Sequence, residues 1–195
     1  MSIFRIPNIL YIHIPKTGGL FYKKLPKKCT ISNLLVRGDH LTIEGHSPQH
    51  STYKELYENR KFLDINFDTV EIIASVRNPY TRIISDLFYF KIINKTDTPE
   101  IVERKMIEFL ESPNNYDNHK KRQIDYLLYN GKIDPKIKII KLETLEEDMF
   151  KLGYSDFNCH SNSTNNNDNY MKYFTRISID YINNFYFDDF NYEIL

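Results

Sequence analysis

The chain has no tryptophan, two cysteines and six glycines in 195 residues, and no apolar run near the ~20 residues of a membrane-spanning helix. Cys29 and Cys159 are too few for a disulfide scaffold or a thiolate zinc site. The N-terminal apolar run is short and is broken by Pro7-Asn8, which predicts neither signal peptide nor membrane anchor and so a soluble, cytoplasmic chain. Net charge of one sign is missing too. Lysine plus arginine and aspartate plus glutamate each number 26, which argues against a general nucleic-acid or membrane-surface binder and requires any basic site to be local. No internal repeat and no linker divides the sequence, so residues 1–195 are expected to form a single domain. The polar run 158–169 reads as a loop. The sequons Asn94-Lys95-Thr96 and Asn162-Ser163-Thr164 fit chance in an asparagine-rich chain.

What is present is an alternation of elements. Short runs rich in β-branched residues predict buried strands at 9–14, 41–44, 70–76 and 137–142. Between them, apolar residues at helical spacing predict helices over 80–93, after the cap Thr98-Pro99, over 123–130 with Gly131 as its stop, over 145–152 and over 177–187. Strands alternating with helices imply an α/β fold with a mainly parallel sheet, in which ligands bind at the carboxyl ends of strands.

Two strand ends carry chemistry. The first is His13-Ile14-Pro15-Lys16-Thr17-Gly18-Gly19. Glycines permit close backbone approach, the N–H groups of Thr17, Gly18 and Gly19 are suited to an anion, and Lys16 adds full charge. The Walker A pattern does not fit, because the lysine precedes the glycines. The second is Arg77-Asn78-Pro79-Tyr80-Thr81-Arg82-Ile83-Ile84-Ser85. There a strand delivers Arg77, proline opens a helix, and Ser85 lies farther along it. A guanidinium fork and a hydroxyl suit one phosphate gripped from two sides.

Together the two motifs resemble the sulfotransferase superfamily that uses 3′-phosphoadenosine 5′-phosphosulfate (PAPS), and most closely its Golgi carbohydrate O-sulfotransferase branch. The first is similar to that family's 5′-phosphosulfate loop and the second to its 3′-phosphate motif, Arg-[Asp/Asn]-Pro-x-x-Arg-x-x-Ser. Gly45-His46-Ser47-Pro48, Gln123-Ile124-Asp125-Tyr126-Leu127, the segment Lys141 through Asp148, His160-Ser161-Asn162 and the tail 173–192 extend the resemblance. It implies a P-loop-like sulfotransferase fold. It also implies that Lys16 binds the 5′ side and stabilises the leaving oxygen, that Thr17, Gly18 and Gly19 hold the 5′-phosphate, and that Arg77 and Ser85 hold the 3′-phosphate. Ser85 is further expected to restrain Lys16 until the acceptor arrives. Many members follow Gly-Gly with threonine or serine; here Leu20 and Phe21 follow, which removes one side-chain hydrogen bond to the cofactor.

The implied reaction is in-line transfer of a sulfuryl group to an acceptor hydroxyl, carbohydrate by resemblance, with no metal required. Histidine suits the base near neutral pH. His46 is the first choice, ahead of His50 and Glu44; His13 is expected to brace the loop, while His40, His119 and His160 are expected to be structural or exposed. Tyr89 and Phe90 are assigned to the core. Two other readings stand beside this one: a catalytically silent protein that binds PAPS or its product adenosine 3′,5′-bisphosphate, and a P-loop small-molecule kinase.

Overall fold

The computed structural model describes residues 9–19, 46–154 and 169–191. The expected strand 41–44, Leu20, Phe21, Gly45, both cysteines, His40, His160 and the end of the tail lie outside them.

Three parallel strands form the sheet, β1 (Ile9–Ile12), β2 (Glu71–Val76) and β5 (Ile137–Lys141), in the order β1-β2-β5. Ile9 pairs with Glu71 and Ile12 with Ala74; Ile72 pairs with Ile137 and Val76 with Lys141. Side chains alternate across a strand, and both faces of β1 and β2 are covered. Leu10, Ile12, Ile72, Ala74 and Val76 face one core with Tyr53, Leu56, Ile124 and Leu127. Ile9, Tyr11 and Ile73 face a second, with Ile140, Leu145 and Met149. Burial on both sides explains why these strands read as continuous apolar runs.

The helices are α1 (Tyr53–Glu58), α2 (Pro79–Tyr89), α3 (Pro99–Glu111), α4 (Gln123–Leu127), α5 (Leu145–Lys151), α6 (Arg176–Phe185) and α7 (Phe187–Asn191). Helix α1 follows a capping box in which Thr52 and Glu55 satisfy each other's backbone N–H; the sequence reading passed over this helix. Val102, Met106, Phe109 and Leu110 of α3 are buried, as their spacing predicts, against Ile83, Ile84 and Leu87 of α2 and Ile182 of α6. None of the helices described is long and apolar enough to cross a membrane.

Strand β1 ends at Ile12 instead of residue 14, and three helices differ more widely from expectation. Helix α2 stops at Tyr89 instead of reaching residue 93, because Lys91 turns left-handed (φ 56°). The N–H groups of Lys91 and Ile92 then close back on the Phe88 and Leu87 carbonyls at 3.1 and 2.8 Å, a Schellman ending. The expected helix 123–130 ends at Leu127. Asn130 (φ 51°) and Gly131 (φ 75°) instead form the two-residue turn of a hairpin joining β3 (Leu128–Tyr129) to β4 (Lys132–Ile133). The C-terminal helix breaks at Tyr186, and α7 folds back so that buried Asp189 accepts the N–H groups of Gln123 and Ile124 at 3.0 and 2.9 Å, capping α4.

Candidate functional site

The cleft is built at the carboxyl ends of β1 and β2. After β1, Lys16 adopts φ 63° and Gly18 φ 90°. A left-handed lysine costs about 1–2 kcal/mol, and the surroundings hold it there. Thr17 is fully buried; its hydroxyl donates to the Ile14 carbonyl at 2.8 Å, and the Ser75 hydroxyl of β2 donates to the Thr17 carbonyl at 2.7 Å. The threonine side chain therefore faces the fold, leaving only its backbone for a ligand. The N–H groups of Thr17, Gly18 and Gly19 bond to no described residue. A Cβ on Gly19 would lie 2.1 Å from His13 Nε2, so the imidazole closes against the loop only because that side chain is absent.

After β2, Arg77 is latched in place. Its N–H donates to Gln123 Oε1, and Gln123 Nε2 donates to its carbonyl, both at 2.8 Å. The guanidinium donates from Nε to the Thr81 hydroxyl at 2.9 Å and from Nη1 to the Lys16 carbonyl at 3.2 Å. Asn78 caps α2 through its own side chain, and its N–H donates to Glu143 Oε1 just beyond β5 at 2.8 Å.

Helix α2 forms the wall of the cleft. Thr81, Ser85 and Tyr89 recur at four-residue spacing on one face. Thr81 holds Arg77. The hydroxyl of half-buried Ser85 bonds to no described residue, Lys16 included. Tyr89 is exposed, contrary to expectation, and the Lys16 ammonium rests 4.4 Å from its ring centroid. Burial pushes the Lys16 ammonium below the ordinary lysine value; Asp86 opposes that shift and Arg77 adds to it.

Beneath this wall lies fully buried Arg82, which donates to the carbonyls of Pro15 and His119 at 3.2 and 2.8 Å. Its Nη1 and the Oδ2 of buried Asp86 find no hydrogen-bond partner among the described residues. The other oxygen of Asp86 meets His119 Nδ1 at 2.6 Å. His119 is buried, the structural alternative of its expectation, and is stacked under Tyr89 at 5.4 Å and 6°. His50 stands edge-on to both His119 and His13, at 5.1 and 5.0 Å.

The structure thus brings together Lys16, Thr17, Gly18, Gly19 and Arg77, with Ser85 on the adjoining helix face. His46 sits to one side. Its Nδ1 lies 2.9 Å from the Ser47 carbonyl and its Nε2 3.1 Å from Glu55 Oε1, so both nitrogens are covered. Burial pushes the Glu55 carboxyl up, but hydrogen bonds from Thr52 and His46 outweigh it and hold the group below the ordinary carboxylate value. Sequence reasoning did not find the Gln123 latch, the Asp86–His119 pair or Asp117. Helical spacing from Arg77 and Ser85 points to Thr81 and Tyr89; nothing local points to His119 or Asp117, which reach the cleft through loop geometry.

The fold is that of an α/β protein in which two neighbouring parallel strands lead into Lys16 and Arg77, beside N–H groups of Thr17, Gly18 and Gly19 that bond to no described residue. At the level of a particular family, no family model, no curated protein and no solved structure matches the chain.

Proposed function

We propose that the chain is a PAPS-dependent sulfotransferase acting on an acceptor hydroxyl, with carbohydrate as the favoured acceptor class. One observation carries the reading: Arg77 donates to the Lys16 carbonyl at 3.2 Å, so two anion motifs 61 positions apart share one cleft. The open N–H groups of Thr17, Gly18 and Gly19 take the 5′-phosphate, and Arg77 with Ser85 takes the 3′-phosphate. The acceptor oxygen forms a bond to sulfur as the sulfur–oxygen bond to the 5′-phosphate breaks. Lys16 leaves the Tyr89 face to meet the charge developing on the departing oxygen. The acceptor proton passes to Nε2 of His46, which serves as a neutral base once that nitrogen parts from Glu55, while Nδ1–H stays on the Ser47 carbonyl; catalytic hydrogen bonds often form only in the loaded enzyme.

Calorimetry with adenosine 3′,5′-bisphosphate, followed by transfer of labelled sulfate from PAPS to a panel of sugars, tests the proposal. Binding with transfer that is lost in Lys16→Ala supports it. Binding without transfer to any acceptor leaves the silent binding protein. Magnesium-dependent binding of ATP with indifference to the bisphosphate replaces it with the kinase reading.

A further inference from the structure

We propose that His50, Asp117 and His119 form a binding site for a transition-metal dication of the zinc, cobalt or nickel type, beside the strand-end cleft. The proposal does not depend on the chemistry at Lys16.

The donor atoms of these three residues lie within 4.8 Å of one another, and both histidines are buried. Each is already oriented. Asp86 holds Nδ1 of His119 at 2.6 Å, which directs the Nε2 lone pair away from the carboxylate. A carboxylate behind a histidine in this way is the usual outer partner of a metal-ligating imidazole. Tyr89 and Phe90 fix the plane of the His119 ring from its face and its edge. Ser47 holds Asp117 by its backbone N–H and, at 2.9 Å, by its hydroxyl. His50 Nδ1 lies 2.9 Å from the Asp117 carboxylate and 3.0 Å from the Asp117 carbonyl, so it carries a proton that a metal bound at that nitrogen would displace.

The backbone that presents Asp117 and His119 is unusual. Tyr116, Asp117 and Asn118 all take positive φ, 50°, 55° and 66°, a conformation that side-chain-bearing residues avoid. Three in succession turn the loop so that it faces the 3₁₀ turn Pro48–His50. Asp86, completely buried behind His119, leaves Oδ2 without a hydrogen-bond partner among the described residues. Its charge is faced by Arg82 and Lys16, so the negative charge offered to a cation is that of Asp117.

Two nitrogens and one oxygen suit zinc and its neighbours better than magnesium or calcium, which favour all-oxygen shells. Bonds of about 2.0–2.1 Å to a tetrahedral ion put donors about 3.4 Å apart, a spacing inside the 4.8 Å that bounds this cluster, and three such donors leave one position for water. The sequence offered no warning, because residues 50, 117 and 119 match no metal motif.

The test is titration of the full chain, freed of metal by chelator, with cobalt(II) alone, followed by visible d–d absorption, with zinc(II) as competitor. One saturable cobalt per chain at micromolar metal, displaced by zinc, is expected. His119→Ala and Asp117→Asn should each weaken binding at least about 100-fold, and Asp86→Asn, which touches no metal, about 10–100-fold. Circular dichroism establishes that each variant is folded, and His50→Gln replaces any that is not. Absence of a saturable one-to-one complex, or parental affinity in the folded ligand variants, overturns the site.

Discussion

The loops after β1 and β2 each bring one cation to the same cleft, yet they are held by opposite means. Lys16 is held through backbone: a left-handed φ, a buried threonine turned inward, and a glycine whose missing Cβ admits His13. Arg77 has no such strain and is held by side chains, with Gln123 bonded to both sides of its peptide and Thr81 bonded to its guanidinium. The first loop gains a row of N–H donors that bond to no described residue and keeps its lysine on an aromatic face. The second gains a fixed guanidinium. A leaving group calls for a cation that moves into place as charge develops, whereas a recognition phosphate calls for one already positioned. Sulfuryl transfer would use both.

The largest expected effect is on chemistry at the first loop. Lys16→Ala should lower sulfate transfer by about 10²–10³-fold while leaving the unfolding midpoint nearly unchanged, since among the described residues the ammonium makes no ion pair and rests on the exposed Tyr89 ring. In the parent, the Lys16 ammonium must stay protonated. Its value is lowered by burial, so the alkaline fall in kcat should begin below the ordinary lysine value of 10.5. A flat profile through that range would detach Lys16 from the reaction.

Next comes buried Arg82, which links the first loop to the segment that carries His119. Arg82 ties the Pro15 carbonyl to that of His119, and Arg82→Leu leaves Asp86 and Asp189 without their buried countercharge. Breaking a buried pair in this way costs about 3–5 kcal/mol, measurable by urea denaturation. An equal midpoint in parent and variant would show that the loop and that segment are joined by other contacts.

The two modes of holding are separated by a paired substitution. Gln123→Ala strips partners from the Arg77 N–H and carbonyl at a cost of about 1–3 kcal/mol, and should weaken adenosine 3′,5′-bisphosphate more than adenosine 5′-phosphate. Gly19→Ala forces the His13 ring aside at a similar cost of about 1–3 kcal/mol, and should weaken both nucleotides alike. Identical selectivity in the two variants would erase the distinction drawn between the loops.

The smallest effect lies outside the cleft. Glu55 has a depressed value when folded. Its contribution is therefore complete above the unfolded carboxylate value near 4.5 and is lost as pH falls through the lower folded value. Urea midpoints measured from pH 6 down to pH 3 should drop more for the parent than for Glu55→Gln, and parallel curves would remove Glu55 from the acid response.

Legibility followed range. The strand run 70–76, the proline-started helices and the apolar stripe of α3 were readable because their causes are local: β-branched runs, fixed proline φ and helical periodicity. Asn130-Gly131 carried a hairpin signal that was read as a helix stop, since glycine ends helices as readily as it turns strands. His46 was chosen for its neighbours in sequence, whereas its covering by Ser47 and Glu55 depends on where α1 packs.

Sequence alone therefore determined that two strands end in cationic turns, that glycine and proline shape those turns, and that the strands between are buried on both faces. Only tertiary structure decided that Arg77 reaches the Lys16 carbonyl, that Gln123 latches Arg77, and that His50, Asp117 and His119 gather beside them. The physical reason is that turn chemistry acts over a few residues, whereas the parallel pairing of β1 with β2 is what brings positions some sixty residues apart within hydrogen-bonding distance.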